Sequence, residues 1–120
     1  METSIDVYAD AALKDGRFGL GVVIYECWSR KAAFKKGGKA RADFDIDDYE
    51  AMALVFAIEC CDLAEVGKAR IYSDNRNAVL MVEPRGHRLL FLNEPASSGY
   101  KKFAMAAHRQ AVVARDAQDQ

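Results

Sequence analysis

The stretch Ala69-Arg70-Ile71-Tyr72-Ser73-Asp74-Asn75-Arg76 reads as a short strand that ends in an aspartate and turns at once into a helix. In open α/β sheets a carboxylate at the carboxyl end of a strand faces the crevice where ligands bind. The meaning of Asp74 therefore depends on whether the rest of the chain supplies partners. Near the start, Ser4-Ile-Asp-Val-Tyr-Ala-Asp10 alternates, with Ile5, Val7 and Ala9 on one face and Asp6, Tyr8 and Asp10 on the other. Tyr8 and Asp10 thus share a face as Tyr72 and Asp74 do.

Between these two strands the pattern changes from strand to helix. Lys14–Arg17 is a turn, and Gly19–Tyr25 is a β-branched run that predicts a second strand. A polar turn is expected near residues 26–30. Lys31–Lys36 then reads as an edge strand protected by its lysines and ended by Gly37-Gly38. From Asp47 to about Val66 the chain is rich in Ala, Leu, Met and Glu. Asp47 and Glu50 have capping-box spacing, Leu54, Ala57, Ile58 and Cys61 form a helical stripe, and Gly67 is the expected C-cap. After Asp74, Asn75–Val82 predicts a short helix, His87–Leu92 a fifth strand, Asn93–Gly99 a loop and Tyr100–Arg115 a last helix with a small-residue face. The order β-β-β-α-β-α-β-α predicts a mixed five-stranded sheet, three antiparallel strands followed by parallel ones, with helices on both faces.

Composition narrows the function classes. The 120 residues fit a single domain, residues 1–120. No apolar run reaches the ~20 residues of a membrane span, and the N-terminal residues lack a signal-peptide pattern. Three cysteines, two of them adjacent, argue against a disulfide framework; a cytoplasmic setting is the expectation. A formal net charge of −1 argues against a dedicated basic nucleic-acid module, though not against an enzyme that meets phosphates through divalent cations.

Parallel pairing of the two Tyr-x-Asp strands in matched register would bring Asp10 and Asp74 side by side, and Glu50 on the intervening helix could close the set. Three converging carboxylates repel one another unless a cation sits among them, and hard oxygen ligands favour Mg²⁺ or Mn²⁺. Such an arrangement suits two-metal phosphodiester chemistry. Taken singly, each residue also has a structural role: Asp10 as a turn residue, Glu50 as a capping-box member, Asp74 as an N-cap.

The motifs Tyr8-Ala-Asp10-Ala-Ala, Gly19-Leu-Gly-Val-Val-Ile24, Glu50-Ala-Met-Ala-Leu54 with Ala57-Ile58, and Ile71-Tyr-Ser-Asp74-Asn resemble, in order, those of the ribonuclease H-like superfamily. The likeness is greatest to type 1 ribonuclease H of the plant and archaeal-type branch. It implies a divalent-metal-dependent endonuclease that cuts the RNA strand of RNA–DNA hybrids, with Asp10, Glu50 and Asp74 as metal ligands. Asp10 would bridge two ions, with Glu50 and Asp74 on one. The family's fourth ligand lies on the last helix, where Ala104-Met-Ala-Ala107-His108-Arg-Gln-Ala111 puts His108 at the aspartate position. Asp116 and Glu94 are the alternatives. Asn75 is a candidate substrate contact.

Three departures from the family pattern stand out. Acidic Asp45–Asp48 replace the amide expected before the helix glutamate, Asn93–Gly99 shows no histidine, and no basic protrusion lies between Asp74 and His87. They keep two rival readings open: a non-catalytic ribonuclease H-like module that binds nucleic acid or a protein partner, and a DNA-directed nuclease on the same fold. A proofreading-type exonuclease fits less well, because Ala11-Ala12 follow Asp10 where its motif carries Asp-x-Glu.

Overall fold

Two tight turns build the antiparallel half of the sheet. In the computed structural model, which describes residues 4–92 and 98–117, β1 (Ile5–Lys14) and β2 (Arg17–Glu26) are joined by Asp15-Gly16. Strand β3 (Ser29–Lys39) follows through Cys27-Trp28. All four turn residues have positive φ, between 50° and 73°. That is the two-residue hairpin form whose twist matches paired strands. The second turn is tighter than the expected 26–30, since Glu26 already pairs with Ser29.

The remaining elements are α1 (Ile46–Leu63), β4 (Arg70–Ser73), α2 (Arg76–Met81), β5 (Arg88–Phe91) and α3 (Ser98–Asp116). The sheet order is β3-β2-β1-β4-β5, with β4 parallel to both β1 and β5. Tyr8 stands opposite Tyr72, so the matched register holds. The mixed five-stranded sheet and its edge strand β3 are as expected.

The alternation in β1 and β2 divides the core. Val7, Ala9, Leu20, Val22 and Ile24 pack with Leu54, Ala57, Ile58 and Cys61 of α1. Tyr8, Val23 and Tyr25 pack with Phe103 and Ala107 of α3 on the opposite face. On that face Gly19 and Gly21 let α3 approach the backbone of β2: a Cβ at either would collide with the carbonyl of Ala111 or Ala107. Gly37 plays the same part against Ala114. Gly37-Gly38 therefore lie inside β3 rather than ending it: Gly37 gives α3 clearance, while Gly38 faces the Phe18 ring.

Three helix ends differ from expectation. The capping box of α1 is Asp45 with Asp48, not Asp47 with Glu50: Asp48 N–H donates to Asp45 Oδ1 at 3.1 Å and Asp45 N–H to Asp48 Oδ2 at 2.9 Å. The C-terminus of α1 closes at Glu65, with φ 58°, rather than at Gly67. Glu65 N–H donates to Asp62 O at 3.1 Å and Val66 N–H to Cys61 O at 2.7 Å, a Schellman motif with buried Val66 as its apolar contact. Asn75, not Asp74, caps α2. The structural roles open to Glu50 and Asp74 are thus filled by neighbours. Among the described residues no helix is long and apolar enough to cross a membrane.

Candidate metal centre

Strand β4 stops at Ser73, while β1 runs on to Lys14. The backbone of β1 past Tyr8 therefore lacks a full partner on that side, and Glu50 reaches it from α1. Glu50 Oε1 accepts from Ala11 N–H at 2.6 Å, so the glutamate stands beside Asp10. Asp74 follows β4 directly, in the short link before Asn75 begins the α2 cap. Ligand atoms from Asp10, Glu50 and Asp74 all lie within 4.8 Å of one another, the one such group among the described residues.

This site is electrostatically tense. Asp10 is 8 % exposed and Glu50 6 %, while Asp74 is exposed. Burial first, then the neighbouring charges of Asp10 and Asp74, push the Glu50 carboxyl up to about 10. Asp10 is raised by burial and by Asp74, against the lowering effect of its hydrogen bonds to His108 and Glu50. A divalent cation reverses both causes: it supplies opposite charge and oxygen coordination in place of lost water. The donor set of three carboxylates fits a hard cation such as Mg²⁺ or Mn²⁺.

His108 stands on α3 with its Nδ1 2.6 Å from Asp10 Oδ2. Its side chain is half-exposed. Asp116 sits in the last turn of α3, exposed and bonded to Arg115 at 2.9 Å. Glu94 lies outside the described residues, as does most of the Asn93–Gly99 segment. A cavity of about 350 Å³ opens beside the carboxylates, lined by Tyr8, Tyr72, Leu92, Lys101, Met105 and His108 among others. Tyr8 is its buried floor, stacked on Tyr72 with ring centroids 5.0 Å apart. Lys101 is a lining cation that sequence reading missed. The available signal was its position two turns before His108, on the same side of α3.

Asn75 is occupied at both ends. Its Oδ1 accepts from Ala78 N–H at 2.8 Å and its Nδ2 donates to Asp47 Oδ1 at 2.8 Å. Asn77 Nδ2 donates to the other Asp47 oxygen at 2.9 Å. The two amides hold the Asp47 carboxyl below its usual range. They also tie the first turn of α1, which carries Glu50, to the start of α2, which follows Asp74. The acidic residue at the expected amide position is thereby clothed in amides.

No family model and no curated protein matches this chain at a significant level. Solved structures do match its shape. The N-terminal RNase H domain of a Mycobacterium tuberculosis protein, solved as a fusion with maltose-binding protein, is 16 % identical with a TM-score of 0.74, covering 99 % of this chain and 98 % of that one. RNase H1 of the halophilic archaeon Halobacterium salinarum is 12 % identical at TM-score 0.71, covering 94 % and 98 %. LC11-RNase H1, isolated from compost and solved in complex with an RNA/DNA hybrid, is 15 % identical at TM-score 0.73, covering 98 % and 100 %. The chain therefore has the ribonuclease H-like fold of RNase H1 domains.

Proposed function

We propose that the protein is a divalent-metal-dependent phosphodiester hydrolase that cuts the RNA strand of RNA–DNA hybrids. The observation that carries this reading is the Asp10–Glu50–Asp74 group, ligand atoms within 4.8 Å, on the sheet of a ribonuclease H-like fold. The hybrid seated on LC11-RNase H1 supports the substrate class. Asp10, Glu50 and Asp74 would hold Mg²⁺ or Mn²⁺, with His108 as the fourth ligand once its bond to Asp10 gives way. Bound there, two such ions would supply an acidified water and charge stabilisation for in-line displacement at phosphorus. Glu50 contributes its second oxygen while Ala11 N–H keeps the first in place. Until its bond to Asp10 gives way, His108 orients that carboxyl through Nδ1. Asn75 serves the site through Asp47, and a substrate contact from it would require release of that bond.

One observation favours a second reading, the non-catalytic binding module: a histidine rather than a carboxylate meets Asp10 from α3. Hybrid cleavage with Mg²⁺ or Mn²⁺, on wild type and Asp10→Asn, separates the two. The hydrolase reading expects cleavage by wild type and a loss of at least about a hundredfold in the variant, beyond the usual cost of removing an outer partner of a metal site. Cleavage that survives the substitution overturns the site. A folded wild type inert on hybrid and on branched or single-stranded DNA favours the binding module.

A further inference from the structure

Trp28 stands apart in its exposure and its backbone conformation. It is the chain's one tryptophan, it is 64 % exposed, and its φ is 72°. The second position of this hairpin turn suits glycine or asparagine. A bulky residue there is a backbone outlier of the kind that marks functional positions. The ring does not fill the core. It leans on α3, with centroids 5.7 Å from Phe103 and 6.1 Å from Tyr100, and leaves most of its surface in solvent.

Two cations stand beside the aromatic rings that neighbour the indole. Lys102 Nζ lies 5.1 Å from the centroid of the same Phe103 ring. Arg30 pairs across the strands with Tyr25, so the two side chains share a face, and Tyr25 packs edge-on against Phe103 at 4.4 Å. Among the described residues neither Arg30 nor Lys102 forms an ion pair. The nearby Glu26 is taken by Lys31 at 3.4 Å, and Asp6 by Arg70 at 2.7 Å. An exposed aromatic face rimmed by cations is the surface that binds single-stranded nucleic acid: bases stack on the ring and phosphates meet the charges. Along β2, Glu26 at the start of this turn is roughly 17 Å from Gly21, the partner of Asp10.

We propose that Trp28, flanked by Tyr100 and rimmed by Arg30 and Lys102, is a stacking platform for an unpaired base of a single-stranded nucleic acid, separate from the carboxylate site. The proposal does not need the site to be catalytic. Its test uses no cleavage, so its failure and that of the hydrolase reading are distinguishable.

The single tryptophan reports directly. Oligodeoxythymidine added to the wild-type protein in metal-free buffer is expected to quench indole emission saturably, and poly-glutamate at equal charge is not. Trp28→Gly, which suits the turn, should weaken binding of labelled oligonucleotide roughly tenfold or more, while Trp28→Phe retains most of it. Arg30→Gln with Lys102→Gln should lower the slope of log affinity against log salt by about 1.4. Absence of quenching, equal quenching by poly-glutamate, or binding by Trp28→Gly equal to wild type overturns the platform. Should Trp28→Gly fail to fold, the quenching and the salt slope decide the question alone.

Discussion

Glu50 shows how much a single side chain can be asked to bear. It is 6 % exposed, and two other carboxylates converge on it. Its folded-state pKa is raised from 4.5 to about 10, so the folded chain holds a proton that the unfolded chain releases. That contribution to stability is complete below 4.5 and is lost as pH rises through about 10. Glu50→Gln keeps an oxygen for Ala11 N–H and carries no charge. In metal-free buffer its melting temperature should therefore gain on wild type as pH rises across that window; a constant difference would show that the charge is not opposed by folding. His108 bears on metal choice. An imidazole tolerates Mn²⁺ better than Mg²⁺. His108→Asp should raise the ratio of Mg²⁺- to Mn²⁺-supported hybrid cleavage by about tenfold, read from initial rates. The three carboxylates were legible because strand alternation and helix spacing fix where each stands. The clamp on Asp47 was not, since its partners Asn75 and Asn77 lie 28 and 30 residues away and meet it only through the packing of α1 on α2.

Elements set the spacing on which those residues depend. Helix α3 brings His108 to Asp10 only because Gly19, Gly21 and Gly37 give it clearance over β2 and β3. The obstacle to a Cβ at Gly21 is backbone, the carbonyl of Ala107 and the N–H of Ala111, which cannot rotate away. Gly21→Ala should cost about 3 kcal/mol, the upper end for overpacking, measured as a drop in denaturant midpoint. It should also lift His108 off Asp10 and weaken Mn²⁺ binding. A variant with unchanged stability would mean that α3 does not depend on this approach. Conversely, Glu65 occupies the left-handed position of a Schellman motif without being glycine. Glu65→Gly should stabilise by about 1 kcal/mol, a rise of a few degrees in Tm. Sequence reading put this cap at Gly67 and a strand end at Gly37-Gly38. It treated glycine as punctuation, whereas here the cap is made by Glu65, and Gly37 makes room for α3. Composition cannot distinguish a glycine that turns the chain from one that makes room for a helix.

At the scale of the whole molecule, element order carried most of the fold: three hairpin-linked strands and two helical crossovers leave few ways to order five strands, and Tyr8 opposite Tyr72 fixes the register. The same topology gathers negative charge where β4 ends early, in a chain whose net charge is already −1. The fold is therefore linked to cations. An ion that binds the folded state alone stabilises it by RT ln(1 + [L]/Kd), about 2.7 kcal/mol at a hundredfold excess over Kd. Binding must displace the proton that Glu50 holds up to about 10, so affinity and the stabilisation it brings fall as pH drops below that value. Calorimetric melts with and without Mn²⁺ should accordingly show a Tm increment that grows from acid to alkaline buffer and vanishes in Asp10→Asn. An increment of equal size in wild type and variant would place the bound ions elsewhere on the surface, and one independent of pH would mean that no proton leaves Glu50 when the ion arrives.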